Sequence, residues 1–397
     1  MELRKVGGIP SGDIRLPPSK SIMHRIIIAE FLSGRRDFTE YAGISDDISA
    51  TAACVTALSR GGAQITLNCG ESGSTLRFVL PLAAALGVNA KFTGSAGLLS
   101  RPIAALSGAL TENGAEIKLS PDCILLSGRL RPGKYVLPGD ESSQYFTGLL
   151  FALPLLDASS EIVSAGEVQS KPYIDITLDI MSRYGVNAME TANGYAADPQ
   201  TYIAPMEKIS AESDWSQAAF FLCASALGAK CTIHGLRTDS LQGDRAVLDI
   251  LRRSGATVSE LNGGITLTAE RLNAVSFDAS DIPDIVPPLA AALCVADGES
   301  VISGCSRLRH KESDRLKTVS EALSALGANI KISGDTLIIR GKPELSGGQA
   351  NAAGDHRIAM MCAVASVKAN GDVFIGGADC VSKSYPNFWS DWEGTEK

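Results

Sequence analysis

Five times along this chain a run with helical spacing ends in Gly-Ala or a close variant and gives way to an alternating apolar–polar stretch. The junctions are Gly62-Ala63, Gly114-Ala115, Gly185-Val186, Gly255-Ala256 and Gly327-Ala328. Glycine suits the residue just past a helix because that position commonly takes a left-handed backbone. The separations are 52, 71, 70 and 72 residues, so each repeat is long enough to be a supersecondary unit in its own right. One stretch shows the expected order. Ser45 caps a helix through Leu58, a strand covers 63–67, and a second helix opens near Ser72 and runs through Leu86. A third opens at Arg101-Pro102, with proline in the tolerated first turn, and ends at Asn113-Gly114. Strands follow at 116–119 and 123–126. Alternation of this kind, with short antiparallel strand pairs, predicts an α+β fold with helices packed on sheets. At 397 residues and 45% hydrophobic content the chain can build two full cores. Residues 199–213 are polar and irregular, and a new apolar helix begins near Asp214-Trp215.

The most informative local stretch is residues 16–25, Leu-Pro-Pro-Ser-Lys-Ser-Ile-Met-His-Arg. Pro17 and Pro18 hold the backbone extended. Ser19 or Ser21 can cap a helix whose apolar face is Ile22, Ile26 and Ala29. Lys20 then stands at a helix start, where free N–H groups and the positive dipole end favour an anion rather than a cation. Alone, Lys20 reads as a surface charge, but the pattern recurs. Basic and hydroxyl residues meet predicted helix starts at Ser72-Gly73-Ser74, Arg101-Pro102, Ser142-Ser143-Gln144, Ser170-Lys171-Pro172, Lys311, Asp355-His356-Arg357 and Lys383-Ser384. Serines there serve as caps. Lysines and arginines do not, and several such ends brought together would hold phosphates and carboxylates.

Composition narrows the ligand. A net charge of −8 argues against a broad nucleic-acid surface, which needs basic excess. It leaves room for local cations focused on a small anion. The N-terminus lacks an apolar leader-like region and no run approaches 18 apolar residues, so the chain reads as cytoplasmic, without a membrane partner. Nine cysteines show no C-x-x-C spacing and mostly lie in apolar surroundings, which predicts buried, reduced thiols. None of the four histidines is paired at metal-ligand spacing, so no metal site is expected.

Residues 16–25 and the run Arg309-His310-Lys311-Glu312-Ser313-Asp314-Arg315-Leu316 resemble motifs of the 3-phosphoshikimate 1-carboxyvinyltransferase (EPSP synthase) family, and the other helix starts match its pattern in order along nearly the whole chain. The resemblance implies two similar domains, each of three βαβαββ units in a six-fold repeat, with the active site in the interdomain cleft. Domain 1 would hold 18–212, and domain 2 would hold 1–17 with 213–397. It further implies that Lys20, Ser21, Arg25, Ser142, Ser143, Gln144, Ser170, Asp284 and Lys311 hold 3-phosphoshikimate, with Tyr173 beside them. Lys20, Gly73, Arg101, Gln144, Arg315, Arg357 and Lys383 would surround phosphoenolpyruvate. Asp284 would contact the attacking hydroxyl, Glu312 would transfer a proton at carbon, and Lys20 would lie close to both. By their own pattern, Asp284 could be a helix N-cap and the 309–316 run a solvated helix face.

The implied reaction moves the enolpyruvyl group of phosphoenolpyruvate to the 5-hydroxyl of 3-phosphoshikimate and releases phosphate. The implied enzyme is a monomer with two small-molecule substrates and no cofactor. Two positions depart from the family pattern. Glu71 stands where asparagine or a small residue is usual, and is tolerable only pointing away or paired with a cation such as Arg77. Arg307 replaces a polar uncharged ligand and is given no role. Alternative readings are the sister enzyme acting on UDP-N-acetylglucosamine, a nucleotide-dependent phosphoryl transferase, and a non-enzymatic repeat scaffold. No G-x-x-x-x-G-K-[ST] occurs to support the second, and a scaffold leaves cations at helix starts unexplained.

Overall fold

The computed structural model describes residues 2–261 and 263–394. The chain divides into two compact units, one of Lys20–Ala211 and one of Met1–Ser19 with Glu212–Lys397. It opens in the discontinuous unit with strands β1 (Leu3–Lys5) and β2 (Ser11–Arg15).

The continuous unit begins with helices α1 (Lys20–Leu32) and α2 (Asp46–Arg60). Then come β3 (Ile65–Asn68), α3 (Gly73–Ala85), β4 (Ala90–Thr93), the short α4 (Ala96–Leu99), α5 (Ala104–Glu112), β5 (Ala115–Leu119) and β6 (Ile124–Gly128). The same order returns as β7 (Lys134–Pro138), α6 (Ser143–Ala152), β8 (Ser160–Ala165), α7 (Lys171–Arg183), β9 (Met189–Thr191) and β10 (Gly194–Ala197). Both four-stranded sheets share one topology, β3-β4-β6-β5 and β7-β8-β10-β9. The first two strands run parallel and the remaining pairs antiparallel. Residues ahead of β3 contribute α1 and α2 but no named strand.

The discontinuous unit resumes with α8 (Trp215–Ala226), β11 (Lys230–His234), α9 (Val247–Arg253), β12 (Thr257–Leu261) and β13 (Gly264–Thr268). Next are β14 (Ser276–Asp278), α10 (Val286–Leu293), β15 (Glu299–Ser303), α11 (Arg315–Ala325), β16 (Asn329–Ser333) and β17 (Thr336–Arg340). Last are β18 (Gly348–Asn351), α12 (His356–Ser366), β19 (Val373–Gly376) and α13 (Phe388–Glu393). Two sheets repeat the same topology, β2-β11-β13-β12 and β14-β15-β17-β16. The third, β18-β19-β1, starts with the same parallel pair and takes its last strand from the N-terminus. The βαβαββ repeat is therefore complete in four sheets and shortened in a fifth.

Each repeat uses two kinds of helix, and its sequence shows why. The helix after the first strand is apolar on all sides, as in Trp-Ser-Gln-Ala-Ala-Phe-Phe-Leu-Cys of α8, and α8 and α10 are buried at every position. A helix without a polar face has to lie inside the core. The helix after the second strand is amphipathic. In α7 only Ile174, Ile176, Thr177, Ile180 and Met181 are buried, on one face. The five repeat glycines all have positive φ, between 77° and 145°, as the left-handed exit from a helix requires. At Gly114 a side chain would also strike the Arg129 carbonyl oxygen, 2.7 Å away. Seven of the nine cysteines are buried and Cys123 and Cys380 are half-buried.

Candidate active site

The buried helices start just past a strand end, and their first turns carry the chemistry. Ser72, Ser142, Asp214 and Asp355 cap α3, α6, α8 and α12 by accepting from Thr75, Gln144, Gln217 and Arg357 backbone N–H groups. Buried helix ends need such acceptors because the first N–H groups have no partner inside the helix.

In the discontinuous unit, Asp284, Lys311, Glu312, Arg315, Arg357 and Lys383 form one ion cluster. Arg315 is 1% exposed as a side chain and spreads its guanidinium over three carboxylates. Nη1 donates to Asp284 Oδ1 at 2.9 Å, Nε to Asp355 Oδ2 at 2.9 Å, and Nη2 to Glu312 Oε2. Arg357 Nη2 donates to Asp284 Oδ2 at 3.2 Å, and Lys311 Nζ to Asp284 Oδ1 at 3.2 Å. Lys383 Nζ lies 3.6 Å from Glu312 Oε1. Burial works against the Asp284 charge, but Arg357, Lys311 and Arg315 together outweigh it and hold its carboxyl well below the usual range. Burial pushes the Lys311 ammonium down to about 8, with Asp284 opposing the fall and Arg307 adding to it. Beside this cluster Asp244, buried and accepting from Ser216 Oγ, is pushed up to about 7 by burial and by Asp284, with Arg357 pulling the other way.

The continuous unit carries its cations differently. Lys20 Nζ pairs with Asp47 Oδ2 at 2.6 Å. A hydroxyl chain runs from buried His24 Nδ1 to Thr51 Oγ1 (2.7 Å), to Thr75 Oγ1 (2.6 Å) and to Ser72 Oγ (2.8 Å), tying α1 and α2 to the cap of α3. Arg25, buried, donates only to neutral acceptors: Thr177 Oγ1 at 2.8 Å, Thr147 Oγ1 at 3.1 Å, and the Ser21 and Tyr173 carbonyls. Burial pulls its guanidinium down to about 9. Arg77 donates to Gln144 Oε1 at 2.8 Å and the Pro102 carbonyl at 2.9 Å, and Gln144 Nε2 donates to Ser74 Oγ at 2.9 Å. Burial first, then the charge of Arg101, lowers Arg77 to about 10. Among the described residues the Arg101 side chain makes no hydrogen bond or ion pair, and its Nε is buried without an acceptor. A Cβ on Gly73 would lie 2.6 Å from Arg101 Nη1 and 2.9 Å from Arg77 Nη1. Glycine is what lets both guanidiniums approach the α3 terminus. Ser143 and Ser170 are buried, and Ser170 precedes α7 with a left-handed φ of 57°.

Several sequence expectations need correction. Arg101-Pro102 does not open a helix: α5 starts at Ala104, because the Pro102 carbonyl accepts from Arg77 and Tyr145 side chains instead of an α5 N–H. Lys311 follows a 3₁₀ turn, Ser306–His310, and Asp314 takes the cap of α11. Lys383 ends a 3₁₀ segment, Ala378–Lys383, so it stands at the end where the dipole favours a cation. Asp284 lies in the 3₁₀ turn Pro283–Ile285 ahead of α10, which has no side-chain cap. Ser19 Oγ is buried without a partner and caps nothing. Of the two options left for Glu71, exposure fits the first, and Arg77 is engaged by Gln144 and Pro102. Sequence reasoning missed Asp47, Tyr145 and Asp244, and it named Asp355 only as part of a helix start. Apart from Glu141, four residues before Tyr145, their partners are distant in sequence, and only the caps leave a local signal.

Among the described residues no group of three or more histidines, cysteines or carboxylates is placed to hold a metal ion, and no helix is long and apolar enough to cross a membrane. Repeated βαβαββ sheets with helices packed against them define an α+β protein. The fold is shared by the EPSP synthase of Acinetobacter baumannii, with a TM-score of 0.76 at 23% identity over 98% of this chain and 97% of the other. It is shared by the enolpyruvyl transferase NikO of Streptomyces tendae, with a TM-score of 0.72 at 18% identity over 98% and 96%. The sequence profile of EPSP synthase (3-phosphoshikimate 1-carboxyvinyltransferase) matches residues 58–392. The 3-phosphoshikimate 1-carboxyvinyltransferase of Clostridium kluyveri is 39% identical over 96% of this chain and 94% of its own length. That of Clostridium novyi is 36% identical over 97% and 96%. The chain belongs to the EPSP synthase family.

Proposed function

We infer that this chain transfers the enolpyruvyl group of phosphoenolpyruvate to the 5-hydroxyl of 3-phosphoshikimate, releasing phosphate. The observation that carries the reading is the contrast between the two clusters. Arg25, Arg77 and Arg101 are held without any carboxylate partner, as a site awaiting phosphate or carboxylate would hold them. Asp284 and Glu312 are instead surrounded by cations.

The hydroxyl attacks C2 of phosphoenolpyruvate while its methylene carbon takes a proton, and phosphate leaves as that carbon gives a proton back. Asp284 suits the hydroxyl proton. It is ionised when free, and its basicity rises once incoming anions engage Lys311 and Arg357. Glu312 suits the proton at carbon, with Lys20 the third catalytic group. Lys20, Ser21, Arg25, Ser142, Ser143, Gln144, Ser170 and Lys311 would hold 3-phosphoshikimate. Lys20, Gly73, Arg101, Gln144, Arg315, Arg357 and Lys383 would hold phosphoenolpyruvate, with arginine forks gripping its phosphate and carboxylate. The same reading makes the chain a cytoplasmic monomer without nucleic-acid or membrane partners. Phosphate release measured with both substrates, and with each alone, tests it. Release that requires both supports the reading, and none with both refutes it.

A further inference from the structure

Tyr145 lies in the first turn of α6, one residue past Gln144, and is completely buried. Its hydroxyl lies 2.7 Å from the Pro102 carbonyl oxygen and 2.7 Å from Glu141 Oε1. The ring also sits 5.6 Å from the Arg77 guanidinium carbon, and Arg77 Nη2 donates to the same Pro102 carbonyl. Burial pushes the phenol well above its ordinary range, so it stays a neutral donor. The Pro102 carbonyl therefore takes an N–H from α3 and shares the single Tyr145 O–H of α6 with the Glu141 carboxylate. The residue before it, Arg101, has no polar partner for its side chain among the described residues, while its backbone N–H donates to the Leu98 carbonyl at 3.1 Å. No acceptor fixes the Arg101 side chain, which packs beside Gly73 and Arg77, so its reach depends on how the backbone beside it is pinned.

We propose that Tyr145 is a positioning residue for phosphoenolpyruvate: its hydroxyl, with Arg77, anchors the Pro102 carbonyl and so fixes where Arg101 meets the ligand. The inference rests on the reading that Arg101 contacts phosphoenolpyruvate. A group acting this way affects recognition of one substrate and not the other. Removing the hydroxyl leaves the ring, its contact with Arg77 and the Arg77 bond to Pro102 in place.

The test is steady-state kinetics of Tyr145→Phe with each substrate varied in turn. The KM for phosphoenolpyruvate should rise roughly threefold to tenfold, the weight of one buried neutral hydrogen bond. The kcat and the KM for 3-phosphoshikimate should stay within about twofold. Tyr41→Phe is the control, since the buried Tyr41 hydroxyl donates to a carboxylate away from Arg101, Glu30 Oε2 at 2.8 Å. It should lower Tm and leave both KM values alone. An unchanged KM for phosphoenolpyruvate in Tyr145→Phe, or a parallel rise in both KM values, would overturn the inference while leaving the activity standing. Absence of phosphoenolpyruvate-dependent phosphate release in the wild type would instead remove the functional reading, and this inference with it.

Discussion

Arg357 holds Asp284 twice, donating from Nη2 to the carboxylate at 3.2 Å and from Nη1 to the Asp284 backbone carbonyl at 3.1 Å. The carboxylate and the peptide that carries it are therefore fixed by one guanidinium, while Arg315 and Lys311 share the other carboxylate oxygen. Asp284→Asn keeps the shape and removes the charge that balances three buried cations. Breaking such a cluster from one side destabilises by about 3–5 kcal/mol, so Tm should fall. The kcat should drop roughly 10²- to 10⁴-fold if Asp284 takes the hydroxyl proton. A carboxyl held below its unfolded value of 3.8 contributes stability above that pH and loses it as pH falls through the folded value. Thermal melts across pH 2–6 (roughly the window that matters) should show that loss in the wild type and a flatter profile in Asp284→Asn. A variant with wild-type Tm would refute the balance described.

Lys311 gives the opposite limb. Its folded value of about 8 lies below its unfolded 10.5, so between the two the unfolded chain binds more protons. This group's contribution to stability should rise with pH across that window. Binding should run the other way, because the free enzyme loses the Lys311 charge as pH passes about 8. The kcat/KM for 3-phosphoshikimate should decline above that pH, and Lys311→Arg, which keeps its charge, should remove the decline. A decline that persists in the arginine variant would assign it to another group.

Arg101 should separate stability from activity. It has no acceptor to lose, and its charge helps pull Arg77 down to about 10. Arg101→Gln should therefore leave Tm unchanged or slightly higher while kcat/KM for phosphoenolpyruvate falls by at least about tenfold, the low end for a charge-assisted contact. A Tm loss as large as that of Asp284→Asn would show that Arg101 is structural.

What could be read from the sequence was what depends on near neighbours. The left-handed glycines at 62, 114, 185, 255 and 327 were legible because only local backbone decides them. The caps Ser72 and Ser142 were legible, and Asp214 and Asp355 were legible as helix starts, because a cap bonds within its own first turn. Arg101-Pro102 was misread as a helix start because its carbonyl is claimed by side chains 25 and 43 residues away. Lys20 was legible as a misplaced cation, but its partner Asp47 lies 27 residues on, in a turn that reads as ordinary capping. The charge run 309–316 looked like a solvated face. Arg315 is buried instead because Asp355, 40 residues away, meets it.

The choice of acceptor is the sharpest remaining test, because the sister reaction on UDP-N-acetylglucosamine uses the same donor. In that enzyme a mobile loop carries a reactive cysteine five residues before an arginine-proline pair. The corresponding residue here is Ala96, which opens the short helix α4 under a Ser95 cap, five residues before Arg101. Its methyl group can neither donate a proton nor be alkylated, and the cysteines nearest in sequence are Cys69 and Cys123. Cys69 is a free, buried thiol, pushed well above its usual range by a hydrogen bond with the Cys54 thiol and by burial, so it offers little thiolate. Phosphate should therefore be released from phosphoenolpyruvate with 3-phosphoshikimate as acceptor and not with UDP-N-acetylglucosamine. Fosfomycin, an epoxide that needs the missing thiol, should leave the rate unchanged after prolonged incubation. Turnover of the nucleotide sugar, or a time-dependent loss of activity with fosfomycin, would place the chain with the sister enzyme instead.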